Sequence, residues 1–147
     1  MDASIQVITI PVTDVDRAAD FYTHQAGFRL DVDYYPASDF RVVQLTPPGS
    51  PCSVQLGTGL TDAAPGSVRA TYLIVTDIDA ACRELAGRGV PVSDIRHKAP
   101  IDDWAGGWKL GTDPERRDYA SFADFADPDG NTWTLQEIGY RAEQPMR

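Results

Sequence analysis

The sequence predicts an α+β fold: two tandem βαβββ modules forming an open, curved mixed sheet with a central cleft. Three observations predict it. An internal repeat relates the two halves of the 147-residue chain. Each copy of the repeat joins an apolar strand-like run to a helix with one apolar face. Each helix is then followed by further strand-like runs with no helical period among them.

The repeat sets "VTDVDRAADFY" from Val12 against "VTDIDAACREL" from Val75, so that Asp14 matches Asp77, Asp16 matches Asp79 and Ala18 matches Ala81, 63 residues further on. Val15, Ala18, Ala19 and Tyr22 fall at i, i+3, i+4 and i+7, as do Ile78, Ala81, Cys82 and Leu85; each set is one apolar helix face. Asp14 and Asp77 are N-cap residues by type and position, and Gly27 and Gly89 suit the helix stops. The strand-like runs are "IQVITIPV", "FRLDVDYY", "FRVVQLTP" and "CSVQLGT" in the first half. In the second they are "ATYLIV", "VPVSDIRH", "YASFADFA" and "TWTLQEI". Two copies in this order do not make a solenoid, which needs several stacked units. One domain of two modules follows, at about 4–59 and 68–139, with a linker at about 60–67 within "GTGLTDAAPGSVR", a stretch rich in Gly, Pro, Ser and Thr, and a short tail at 140–147. The predicted core is Ile8, Ile10, Val15, Tyr22, Leu73, Val75, Leu85, Trp133 and Leu135.

Composition narrows the function classes. A chain that is 42% hydrophobic can bury a core, and its net charge of −9 argues against nucleic acid, which needs a basic footprint. No run approaches the roughly 20 apolar residues of a membrane span, and "MDASIQVITI" lacks the basic start and cleavage site of a signal peptide. A soluble, cytoplasmic protein is expected. Cys52 and Cys82 have no metal-ligand spacing and read as reduced core residues.

"DPDGNTW" followed by "TLQEI" is a turn leading into a strand: Pro128 presets φ, Asp129 suits the next place and Gly130 supplies the positive φ. That strand alternates Thr132, Thr134 and Gln136 on one face with Trp133, Leu135 and Glu137 on the other. These motifs, with the opening "V.DVDRAADFY...AGF", resemble the vicinal oxygen chelate superfamily, which includes glyoxalase I, extradiol dioxygenases, fosfomycin-resistance enzymes and bleomycin-resistance proteins. The resemblance runs over about residues 4 to 139 and implies a glyoxalase-like fold, with function to be argued from the site. Metal-dependent members place a His or Glu on each of four inward strand positions. Carried onto this chain these are Val7, Gln55, Ala70 and Thr134, none of which is His, Asp, Glu or Cys. Shifting each strand by one residue gives no better set. Neither a metal nor another cofactor is therefore expected.

What remains on those inward faces is neutral: Val7, Thr9, Ser53 and Gln55 in the first half, and Ala70, Tyr72, Ile74, Thr134 and Gln136 in the second. Such a lining suits a small organic ligand, aromatic or cationic; the alternative is that the short polar side chains are satisfied within a solvent-touched sheet. From Val12 to Gln55 the first half spans 43 residues, whereas Val75 to Thr134 spans 59. The excess falls mainly in "KAPIDDWAGGWKLGTDPERR", whose Trp104 and Trp108 stack on a ligand or bury in a dimer interface, so that 98–118 is a lid or a dimer contact. His97 and Asp103 beside it are the catalytic candidates, His97 being otherwise a structural or surface histidine. Two readings follow. One is a metal-free binding protein of the bleomycin-resistance type, a homodimer holding a small organic molecule. The other is an enzyme of the superfamily, a lyase, isomerase or dioxygenase-like protein, metal-independent or with an unconventional metal site.

Overall fold

The computed structural model describes residues 1–142. Of the expected tail at 140–147, residues 143–147 thus lie outside the described residues. The elements run β1 (Val7–Thr9), α1 (Val15–Asp20, continuing as a π-helical turn over Phe21–Gln25), β2 (Arg29–Ala37), β3 (Phe40–Thr46) and β4 (Ser53–Thr58). They continue as β5 (Thr71–Val75), α2 (Ile78–Gly87), β6 (Arg96–Ala99), β7 (Gly107–Leu110), β8 (Ser121–Ala126) and β9 (Thr132–Glu137). They build two open mixed sheets. One has the order β1-β4-β3-β2 and the other β5-β9-β8-β6-β7.

The described residues form two compact units, one of residues 1–69 with 126–132 and the other of 70–125 with 133–142. In the first, β1 runs parallel to β4, with Val7 opposite Ser53 and Thr9 opposite Gln55, and β3 runs antiparallel to β4. Strict alternation sends Val43, Leu45, Val54 and Leu56 to the buried face, where Ile10, Ala18 and Tyr22 join them. Asp14 caps α1 by accepting the Arg17 N–H at 3.1 Å. The turn at Asp127 to Gly130 belongs to this unit. Tyr22 donates its hydroxyl to Asp127 Oδ2 at 2.7 Å, Asn131 Nδ2 donates to the Pro11 carbonyl at 2.9 Å, and Thr13 Oγ1 donates to Asp129 Oδ1 at 2.6 Å. Gly130 takes the expected positive φ, +91°, and its N–H closes the turn onto the Asp127 carbonyl.

In the second unit β5 runs parallel to β9, pairing Tyr72 with Thr134 and Ile74 with Gln136. Asp77 caps α2 through the Ala80 N–H at 3.0 Å. Under the helix lie Ile78, Leu85, Ala123, Phe125, Trp133 and Leu135, all buried, with Trp133 stacked on Phe125 at 6.3 Å. Two expectations need revision. Ile8, Val15, Leu73 and Val75 are half-buried rather than core; three of the four sit on β1 and β5, the outer strands of their sheets, and so have a strand neighbour on one side alone. The long stretch after β6 is not all loop either: Gly107–Leu110 folds back as β7 and pairs antiparallel with β6, Lys98 opposite Trp108. No helix among the described residues is long and apolar enough to cross a membrane.

Candidate ligand-binding face

On the first sheet, the expected lining residues bond to one another. Gln55 Nε2 donates to Thr9 Oγ1 at 2.9 Å, and Ser53 and Thr46 share a hydroxyl–hydroxyl bond of 2.6 Å. Val7 stands beside them on the outer strand, half-buried. Thr46 also donates to the Asp31 carboxylate, which Arg29 pairs, so these polar groups are already engaged with one another within the sheet.

The second sheet is different. Its open face carries Tyr72 and Ile74 from β5, Thr134 and Gln136 from β9, Phe122 and Asp124 from β8, Arg96 and Lys98 from β6, and Trp108 from β7, as the ladder registers require. Ala70 precedes β5 in a left-handed conformation, φ +56°. Phe122 is buried at the centre, and three rings meet it edge to face: Trp108 at 5.1 Å, Trp104 at 6.1 Å and Tyr72 at 6.3 Å. Those three remain 47%, 54% and 54% exposed. The arrangement is a floor with walls whose outer surfaces meet solvent. Around it, Arg96 lies 4.9 Å from the Trp108 centroid and donates to Asp124 Oδ2 at 2.7 Å, while Thr134 Oγ1 donates to Asp124 Oδ1 at 2.9 Å. Gln136 Nε2 donates to the Tyr119 carbonyl at 3.2 Å.

Lys98 holds the tryptophan loop. It is 2% exposed, and its ammonium donates to the Trp104 carbonyl at 2.7 Å and the Gly106 carbonyl at 3.1 Å while lying 4.3 Å from the Trp108 ring centroid and 6.0 Å from that of Trp104. Sequence reasoning missed Arg96, Lys98, Phe122 and Asp124. The available signal was the two-residue alternation in "RHKA" and "SFADFA", which sets Arg96 with Lys98 and Phe122 with Asp124 on one face each.

The two catalytic candidates are placed differently. His97 pairs with Ser121 and Lys109 across its ladders, so it projects from the opposite side of the sheet. It is buried, its Nδ1 lies 2.7 Å from the Gly111 carbonyl, and it borders a pocket of about 520 Å³ with Pro100, Asp102, Lys109 and Arg117. Asp103 is exposed and turns back on its own loop, accepting the Ala105 N–H at 3.1 Å. Glu137, another carboxylate of the sequence, is fully buried. It accepts the Ile78 N–H at 3.0 Å and pairs with Arg116, whose guanidinium is thereby held even more firmly charged than usual.

The metal positions implied by the family resemblance do not fit a metal. Val7 and Ala70 offer no donor atom, and the Gln55 amide and Thr134 hydroxyl are bonded to Thr9 and Asp124. Among the described residues no three His, Cys, Asp or Glu side chains gather as a ligand set.

Comparison with known proteins agrees with the fold. Residues 4–135 match the sequence pattern of the Glyoxalase/Bleomycin resistance protein/Dioxygenase superfamily. Among solved structures, the chain is similar to TnmS3, an antibiotic binding protein from Streptomyces sp. CB03234, at 31% identity, over 92% of this chain and 96% of that one, with a TM-score of 0.69. A glyoxalase/bleomycin resistance protein from the same Streptomyces is 31% identical over 91% of this chain and 100% of its own, with a TM-score of 0.67. A superfamily member from Sphaerobacter thermophilus is 29% identical over 93% and 98%, with a TM-score of 0.69. No curated protein matches.

Proposed function

We propose that this chain, which belongs to the Glyoxalase/Bleomycin resistance protein/Dioxygenase superfamily, is a metal-free binding protein for a small aromatic organic molecule, held on the open face of its second sheet. The observation that carries this reading is the group of Tyr72, Trp104 and Trp108, each about half exposed around buried Phe122. Large rings left in solvent beside Arg96 and Asp124, with the Thr134 and Gln136 side chains buried and bonded beneath, are characteristic of a ligand surface. Rigid aromatic walls lose little entropy when a planar molecule stacks on them. An antibiotic binding protein among the similar structures supports the same class of activity. Both cysteines are free, in keeping with a reducing cytoplasmic location.

The enzymatic reading centres on His97 or Asp103. His97 lies across the sheet from the aromatic group, and Asp103 is engaged in its own turn, so binding without turnover accounts better for this face. The test is titration of intrinsic fluorescence with a panel of planar aromatic compounds. At least one should quench the tryptophans saturably, and Trp108→Ala should weaken it by about 1–3 kcal/mol. A panel without a binder, or a Trp108→Ala variant of parental affinity, would overturn the proposal.

We also propose that two copies pair. The outer strand β2 is exposed throughout and presents Leu30, Val32 and Tyr34 to solvent, an uncovered apolar edge that a second copy would bury. Light scattering should give twice the 16.1 kDa chain mass at micromolar concentration. A monomer mass would reject the pairing.

A further inference from the structure

A box of two indoles is a familiar device for capturing a cation, because each ring face is the negative side of a quadrupole. Here the cation is already present. The Lys98 ammonium lies 4.3 Å from the Trp108 centroid and 6.0 Å from that of Trp104. Its position is fixed by the Trp104 and Gly106 carbonyls, and it sits almost wholly out of solvent. Arg96 places a second cation 4.9 Å from Trp108 and 5.8 Å from Phe122. The strand positions of the open face hold one carboxylate against these two cations, Asp124, and it is taken by Arg96 and the Thr134 hydroxyl. Among the described residues no carboxylate forms an ion pair with Lys98. Of the two acids in the loop between β6 and β7, Asp102 and Asp103, the second is bonded to its own turn. A chain of net charge −9 thus carries a locally positive aromatic face.

We infer that this face selects planar aromatic molecules bearing an anionic or electron-rich substituent, such as a carboxylate or phenolate, and discriminates against aromatic cations, because Lys98 fills the cation position between the two tryptophans. The inference rests on the binding reading above and narrows its ligand class. A carboxylate on a ring stacked against Trp104 would meet the fields of Lys98 and Arg96 with the same sign of benefit. An ammonium at that place would meet repulsion from both cations.

Three probes of one ring system separate the possibilities: 9-anthracenecarboxylate, 9-anthracenemethanol and 9-anthracenylmethyl-trimethylammonium, titrated by calorimetry at low ionic strength. The carboxylate is expected to bind about tenfold or more tightly than the ammonium, with the alcohol between them, and added salt should narrow the gap. Lys98→Met should shrink the carboxylate's advantage while Lys98→Arg keeps it. Should Lys98→Met fail to fold, the salt series on the parent and Lys98→Arg still decide. Equal binding of all three probes, or preference for the ammonium, overturns the charge inference and leaves the aromatic face standing. Failure of all three to bind removes the binding reading and the selectivity with it.

Discussion

Replacing Arg116 with Met should cost about 3 kcal/mol of stability. Glu137 is fully buried. Its oxygens accept Arg116 Nε at 3.0 Å, a second Arg116 bond from Nη2, and the Ile78 backbone N–H at 3.0 Å. Without the guanidinium, a desolvated carboxylate keeps one backbone donor. Removing one partner of a buried pair costs about 3–5 kcal/mol. The lower end applies because the Arg116 side chain is itself 21% exposed, so water reaches the gap. The further pairs to Asp77 at 3.4 Å and Asp79 at 3.2 Å involve more exposed carboxylates and add little. For a chain of this size 3 kcal/mol corresponds to a Tm lower by roughly 6–12 °C. Thermal unfolding followed by circular dichroism on the parent, Arg116→Met, Glu137→Gln and the double variant gives both the loss and the coupling, expected at about 1–3 kcal/mol. Ligand affinity should be unchanged in any variant that folds, because Glu137 lies on the helix side of the sheet. A Tm drop below about 2 °C, or strictly additive single variants, would refute the assignment of Glu137 and Arg116 as a structural pair.

Two further outcomes test the framework. Hydrogen bonds from Arg117 hold the Asp113 carboxyl down to about 2. Its folded value lies below its ordinary one, so its contribution is full above about pH 4 and is lost as pH falls through 2; Asp113→Asn should lower stability by about 1–2 kcal/mol at neutral pH and by progressively less in acid, as urea unfolding across that range would reveal. Gly66 has φ +81°, and a Cβ there would lie 2.2 Å from the Asp129 carbonyl oxygen, whereas one on Gly130 meets nothing within 4 Å. Gly66→Ala should therefore destabilise by about 2 kcal/mol or more and Gly130→Ala by about 1–2 kcal/mol, the conformational penalty alone; equal Tm shifts would contradict the close approach.

What the sequence disclosed was local or repeated. The two N-caps, the glycine stops, the turn at Asp127 and the alternation of β9 all depend on neighbours within a few residues, and all are present as expected. Strand β7 was hidden because Gly107 to Leu110 is too short to show a period, and its partner β6 lies across the connection from Pro100 to Gly106. The roles of Lys98 and Glu137 were hidden for another reason. Whether a charge is buried depends on distant donors and acceptors, here two loop carbonyls for Lys98 and an arginine 21 positions away for Glu137. Trp104 and Trp108 stood out by residue type, yet their common floor, Phe122, emerged from the register of β6 with β8. The side of the sheet that His97 occupies was likewise a matter of register.

The most direct test of the binding face uses the three tryptophans as reporters. Trp104 and Trp108 border the face, whereas Trp133 is buried on the helix side against Phe125. In a 15N–1H spectrum, with the indole N–H signals assigned by single Trp→Phe variants, titration with a binding aromatic compound should shift the Trp104 and Trp108 signals and leave that of Trp133 in place. Movement of the Trp133 signal alone, or still signals from Trp104 and Trp108 while calorimetry registers binding, would contradict the account.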